Sequence, residues 1–453
     1  MDRNRRAPFL VALGLLTAVS GACWCAEEAS PAPTLLLPEA LRQAVESNPS
    51  IVRLRLEGAK MAEMLAAART HRLPVFQVDV SASQQLREVD FLFRRGLFGA
   101  FPGIGPVPPA DTRVVTPKIP TALVFAQIAQ PLTQQFVIGL NLRQIELQMQ
   151  ANEQKLRAEQ QRVVSDVKKA YYGVLLTQNG LAATRQGLDL YRELDRVTKE
   201  YVVQKVALQS DRLEVEMRQA KTEYDGLVLE DQLATQKQQL NLLLGRAIDT
   251  AFSVEPVEQV GSEQLELADL RGRALEQRPE IREAQIRIQQ AELDRRIKRA
   301  DRIPELSMAL TYFSPLGFNE LLPTHVTNAG LLFKWEVYDW GRRKRELAAK
   351  SLTIEQARTG VEEARSLVLI DVEAKYRKLL QTRQLLRIAQ LTRERAGEIL
   401  RVASNKYQQQ FSLLKDVLQA QTELEQARFQ QEQALLSFWT AQAELEKALG
   451  EEK

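Results

Sequence analysis

Two hydrophobic periodicities share this chain. Phe76, Val78, Val80 and Ala82 alternate with Gln77, Asp79, Ser81 and Ser83, which predicts a strand with one apolar and one polar face. Leu306, Met308, Leu310 and Tyr312 alternate with Ser307, Ala309 and Thr311, and Leu331, Phe333, Trp335 and Val337 oppose Asn328, Gly330, Lys334 and Glu336. Thr121 to Ile128 reads as a fourth strand with weaker alternation. The four form two β-hairpins, 74–130 and 304–340, with strands near the ~9–11 residues that cross a membrane. The first hairpin carries an insertion, 90–120, rich in Phe, Gly and Pro. That composition predicts a long loop rather than a helix or a central strand. Its phenylalanines either meet lipid headgroups or pack on one another.

The helical period governs the rest. Thr133 to about Tyr201 contains no proline, and roughly 65 residues at 1.5 Å each make a rod of about 100 Å. A return helix from Gln209 stops at Gly245, so 133–244 is a long helical hairpin, and 341–449 is a second one starting at Gly341. In the last helix Ala420, Ala427, Ala434, Ala441 and Ala448 recur every seventh residue, alongside Val417, Leu424, Gln431, Phe438 and Leu445. Ile354, Ala357, Val361, Ala364 and Val368 repeat the idea on the preceding helix. A seven-residue repeat imposes supercoiled knobs-into-holes packing. Shorter helices precede each hairpin and are broken at Asn48-Pro49 and Arg278-Pro279, because the residue before proline is pushed out of the helical region.

These elements occur twice. Ala44, Pro49, Ile51 and Pro74 match Ala274, Pro279, Ile281 and Pro304 at a constant step of 230; Asp166, Tyr171, Asp211 and Gly245 match Asp371, Tyr376, Asp416 and Gly450 at a step of 205. A fixed step over a long window marks an internal repeat, and the change of step is the insertion in the first hairpin. The chain divides into a first repeat, 36–246, an inter-repeat linker, 247–265, and a second repeat, 266–450.

Ahead of the repeats, 1–26 reads as a signal peptide: Arg3, Arg5 and Arg6, then an apolar run from Phe9 to Val19, then Ser20-Gly21-Ala22. The run is shorter than the ~20 residues of a spanning helix. Cys23 and Cys25 are the only cysteines, and Ser20-Gly21-Ala22-Cys23 makes Cys23 a possible lipidation site. Residues 27–36 are a proline-containing linker. The net charge of +3 supplies no basic footprint for nucleic acid. His71 and His325 are the only histidines and fall at different places in the repeat, so no metal site is expected. No catalytic constellation or cofactor loop is expected either.

Four strands cannot close a membrane barrel, whose smallest form has eight, and an open edge in lipid costs several kcal/mol per unpaired group. The strands must therefore be pooled between copies, giving eight from two chains or twelve from three. The rival reading is a periplasmic coiled-coil scaffold or adaptor without a pore. That reading leaves the four amphipathic strands unexplained.

The order of motifs is similar to the TolC family of outer-membrane efflux and secretion channels. The similarity rests on Ala44/Asn48-Pro49 and Ala274/Arg278-Pro279, Pro74 and Pro304, Gln130-Pro131-Leu132, the run from Trp335 to Arg342, and Asp416 to Gln421. The resemblance implies a mainly α protein with a β-barrel portion, in which three protomers build a helical barrel and a twelve-stranded transmembrane β-barrel. It implies no enzyme but a passive outer-membrane exit duct reaching into the periplasm, in a tripartite efflux pump or a type I secretion system. The implied partners are a periplasmic adaptor and an inner-membrane RND or ABC transporter. The family's glycine about six residues before each tip aspartate is absent; Lys205 and Gln410 stand there. Lys205, Asp211, Lys406, Tyr407, Lys415 and Asp416 are the candidates for the periplasmic gate and adaptor zone. Trp335, Tyr338 and Trp340 are the candidates for an interfacial aromatic girdle.

Overall fold

The computed structural model describes residues 33–116, 118–205, 208–255, 266–317, 323–409 and 411–451. The signal segment and Cys23 lie outside them, as do most of 27–36 and of the inter-repeat linker.

In chain order the first repeat holds β1 (Thr34–Leu35), α1 (Leu37–Ser47), α2 (Pro49–Thr70), β2 (Val75–Gln84), β3 (Val89–Phe93), β4 (Ala100–Phe101), β5 (Gly105–Pro106), β6 (Thr112–Thr116), β7 (Pro120–Pro131), α3 (Gln134–Val203) and α4 (Gln209–Leu243). A short β8 (Ser253–Val254) follows. The second repeat holds α5 (Leu267–Gln277), α6 (Pro279–Ala300), β9 (Glu305–Leu316), β10 (Val326–Lys334), α7 (Arg342–Gln408) and α8 (Leu414–Leu449).

The repeats share more than an order of elements. Asn48 and Arg278 both have extended ψ, 129° and 123°, as a following proline requires. Both side chains then reach the end of their repeat's return helix. Asn48 Nδ2 donates to the Leu243 carbonyl at 2.8 Å, and Arg278 Nη1 donates to the Lys447 carbonyl at 3.3 Å. Carbonyls in a helix's last turn lack the usual in-helix donor, so a side chain from the α1–α2 or α5–α6 corner reaches each one; the Lys447 carbonyl also accepts the Gly450 N–H at 3.0 Å.

Two cores lie at matching places. One joins Ala40, Ala44, Ile51, Val167, Tyr171, Leu240 and Leu244; the other joins Leu270, Ala274, Ile281, Val372, Leu445 and Leu449. Tyr171 is buried, and its hydroxyl lies 2.9 Å from the carbonyls of both Leu35 and Glu255. It thereby anchors the strand pair β1–β8, which is parallel.

Beyond these cores the helices run out as rods. α3 has 70 residues and α7 has 67, each about 100 Å long. α4 packs along α3 and α8 along α7, and α3 also touches α8. All five seam alanines of α8 are buried, as are Val417, Leu424 and Leu445. The first repeat uses glycine instead: Gly173, Gly180 and Gly187 on α3, seven apart, face Gln236, Glu432 and Glu425.

Two strand expectations need correction. β10 ends at Lys334 instead of continuing through Trp335 and Val337. Residues 335–341 form an irregular segment ending in two left-handed residues, Trp340 (φ 56°) and Gly341 (φ 81°). Asp339 fixes its end by accepting from the backbone N–H of Gly341 and of Arg343. Alternation alone cannot reveal that a neighbouring carboxylate captures the backbone. The insertion is also more ordered than a loop. β3 pairs with β6 and β4 with β5, both antiparallel. β3 and β6 contain no proline. Phe93 lies 6.3 Å from Phe91 and 5.6 Å from Phe98, ring centre to ring centre, so these phenylalanines pack on one another.

Candidate functional site

β10, β9, β7 and β2 form one antiparallel sheet in that order, leaving β2 and β10 as open edges. The register brings the alternating apolar positions of β2, β9 and β10 to one face, together with Ala126 and Ile128 of β7. Ala329, Leu310, Ile128 and Phe76 lie in one row, and Thr327, Tyr312, Ala126 and Val78 in the next. Phe76 is 71% exposed, Val78 66% and Leu331 65%. The opposite face carries the charges and amides, with a row of Asn328, Thr311, Gln127 and Gln77. A broad exposed apolar face marks a surface that meets something other than water. Two unpaired edges in the same sheet mark strands waiting for partners. Among the described residues, no helix is long and apolar enough to cross a membrane.

At the sheet's helical end, Trp335, Tyr338 and Trp340 are all exposed, and the rings of Tyr338 and Trp340 meet edge to face at 5.0 Å. The three girdle candidates thus lie in the segment after β10 rather than in the strand, with Trp335 against Phe333 at 6.5 Å. His325 Nδ1 lies 2.7 Å from the Tyr312 hydroxyl, and His71 caps the end of α2. No cluster of metal-ligating residues occurs among the described residues.

The other end of the molecule is the pair of helical turns, α3 to α4 and α7 to α8, which lie side by side. The rings of Tyr201 and Tyr407 are 6.3 Å apart, and Val215 and Leu418 share a small core with Tyr191 and Leu194. Burial, with Tyr201 and Asp211 nearby, raises the Tyr407 hydroxyl above its ordinary range. Both candidate aspartates close helix starts. The Asp211 carboxylate accepts the Leu208 N–H at 3.0 Å, and the Asp416 carboxylate accepts the Leu413 N–H at 3.2 Å. This is the acidic half of a capping box. Lys205 is exposed with φ 61°; the left-handed position at this turn, where the resemblance leads one to expect glycine, is occupied by a lysine. Lys406, Lys415 and Asp416 are exposed. Gln410 lies outside the described residues.

A polar layer between the two helical hairpins is missing from the sequence reading. Tyr191 donates to Glu425 at 3.3 Å, and Arg218 donates to Thr422 at 2.7 Å. Glu432 stands against Gly180, close enough that a Cβ there would come within 3.3 Å of Oε2. Burial drives the Glu432 carboxyl above its ordinary value, against the opposing pull of Arg393 and Arg428. Gly180, Glu425 and Glu432 border a cavity of about 670 Å3 between α3, α4 and α8. The available signal was the sevenfold glycine row on α3, which reads as packing until its partners are known to be carboxylates.

Residues 270–451 match the family described as Outer membrane efflux protein, a family of transport channels rather than enzymes. Solved structures agree along nearly the whole chain. The outer-membrane channel OprN superposes with a TM-score of 0.70 at 18% identity, covering 91% of this chain and 89% of that one. The Campylobacter jejuni CmeC outer membrane channel gives 0.73 at 14% identity over 91% and 85%. The open state of the Neisseria gonorrhoeae MtrE outer membrane channel gives 0.69 at 18% over 92% and 89%. No curated protein matches by sequence. Residues 270–451 thus resemble the outer membrane efflux protein family, and the chain as a whole has the fold of these outer-membrane channels.

Proposed function

We propose that three copies of this chain pool their sheets into a twelve-stranded barrel in the outer membrane, with the long helices extending as a second barrel into the periplasm. The observation that carries this reading is the four-stranded sheet itself, apolar on one face, polar on the other and open at both edges. The sheet cannot remain as it is in hydrocarbon, because unpaired edge groups cost several kcal/mol each. Sealing β2 of one copy against β10 of the next removes every edge and turns the polar face inward. The product is a passive exit duct for a tripartite efflux pump or a type I secretion system, supplied through a periplasmic adaptor by an inner-membrane RND or ABC transporter. Trp335, Tyr338 and Trp340 then sit at the periplasmic headgroup level, and Cys23 is the place a lipid would attach.

The mature protein is expected to fractionate with outer membranes, run as a trimer in mild detergent and conduct ions in planar bilayers. A monomer stable in plain buffer, without conductance, would overturn the reading. The helical tips, with Lys205, Asp211, Lys406, Tyr407, Lys415 and Asp416, form the gate and adaptor zone in this proposal. Asp416→Lys should raise single-channel conductance by disturbing the tip. Asp416→Asn keeps an oxygen that can accept from Leu413, so it separates loss of charge from loss of the cap. Unchanged conductance in both variants would remove Asp416 from the gate.

A further inference from the structure

The polar face of the sheet is not uniformly polar. Counting rows outward from the helical end, Asn328, Thr311, Gln127 and Gln77 are followed by Val326, Phe313, Phe125 and Asp79. The next row holds Pro315, Leu123 and Ser81. Phe125 and Phe313 are direct cross-strand partners, on the face opposite to Phe76, Val78 and Leu310. Phe125 is 36% exposed and Phe313 half-buried, so neither belongs to a closed core. Asp79 is the cross-strand partner of Phe125 on its other side. Its carboxylate is exposed and accepts from the Gln77 side-chain amide at 3.0 Å.

Adjacent strands lie about 4.8 Å apart, so Asp79, Phe125 and Phe313 span about 10 Å across the wall. An acid beside two aromatic rings matches one chemistry: an organic cation that carries an aromatic ring. The carboxylate attracts the charge, and the ring faces attract both the charge and the apolar body.

We propose that Asp79, Phe125 and Phe313 form a low-affinity contact site for aromatic cations on the inner wall of the barrel, once in each protomer. The inference rests on the reading above, in which the polar face lines the conduit. Weak contact suits a conduit, since a passing solute must be held well enough to enter and loosely enough to leave. The rows on the helical side carry amides, small and aliphatic residues and the Lys334–Glu305 ion pair but no aromatic ring, so the site forms an aromatic band partway along the pore. It favours small amphiphilic cations over anions and over fully hydrated polar solutes.

The test is block of single-channel current through the purified mature protein in planar bilayers, with benzyltrimethylammonium as probe and tetraethylammonium as a non-aromatic cation of equal charge. Benzyltrimethylammonium should block at about tenfold lower concentration. The double variant Phe125→Leu/Phe313→Leu, which keeps apolar bulk, should abolish that difference, and Asp79→Asn should weaken block by both cations. Equal block by the two cations in the unmodified protein overturns the proposal without relying on any variant. A preference that survives the double substitution overturns it as well. A protein that forms no conducting channel overturns the channel reading itself, whereas a conducting channel indifferent to the aromatic ring overturns only the contact site.

Discussion

Gly245 has φ +68°, and a Cβ placed on it would lie 2.2 Å from the Ser47 carbonyl oxygen. Its repeat mate Gly450 has φ +81° and faces Gln277 in the same way, at 3.1 Å. Each glycine stops a return helix and lets the end of α1 or α5 lie against the chain. Gly245→Ala therefore combines left-handed strain with a backbone clash. Its expected cost is about 2–4 kcal/mol, read as a lowered denaturation midpoint in detergent. Gly272, inside α5 with nothing within 4 Å of its Cβ position, provides the contrast: Gly272→Ala should stabilise by about 0.5–1 kcal/mol. Lys205 presents the opposite case, a side chain held at φ 61° where a residue without a Cβ suffers no strain. Lys205→Gly should stabilise the α3–α4 turn by about 1 kcal/mol, seen as slower amide exchange at the start of α4. Gly245 was legible in the sequence as a helix stop and as half of a repeat pair. The strain at Lys205 was not, because a missing glycine reads equally well as a changed turn or as a tolerated substitution.

At the scale of elements, legibility followed the strength of the period. The alanine row of α8 announced its own seam, and α3 and α7 announced their length by the absence of proline. The end of β10 and the strands inside the insertion stayed hidden, because Asp339 and cross-strand pairing set them, neither of which leaves a periodic trace. The contact between α3 and α8 was hidden for a related reason: its glycines are recognisable, but their partners are polar. Glu432 tests how much that contact tolerates. Its folded pKa lies above the ordinary carboxylate value of 4.5 because burial penalises the anion. The unfolded chain thus releases this proton first. The group's contribution to stability is intact below pH 4.5 and is lost as pH rises through the folded value. Glu432→Gln removes the buried charge while keeping a polar group of the same shape. Its denaturation midpoint should exceed that of the unmodified protein at pH 7, and the difference should shrink towards zero as pH falls to 4. A difference independent of pH would show that the carboxylate is well solvated and that the cavity between α3, α4 and α8 is filled with water.

For the whole molecule, the decisive question is which side of the sheet meets which solvent. Val78 and Ser81 lie three residues apart on β2, pointing to opposite faces, both in an exposed strand at the sheet edge. As an isolated chain, the protein gives no reason to treat them differently: an arginine at either place would reach water. In the assembly proposed here they diverge completely. Val78→Arg places a guanidinium against hydrocarbon, at an expected cost of about 2–4 kcal/mol near the midplane. With three copies per barrel, that cost is incurred three times in a single assembly step. Ser81→Arg points into the conduit, where water and the neighbouring Asp79 accommodate it. The expected outcome is that Val78→Arg loses the detergent-stable trimer and the outer-membrane fraction. Ser81→Arg should keep both and shift ion selectivity towards anions. Equal assembly of the two variants would mean that neither face meets lipid. The sheet would then be wet on both sides, and the long helical hairpins would serve as a scaffold with no pore above them.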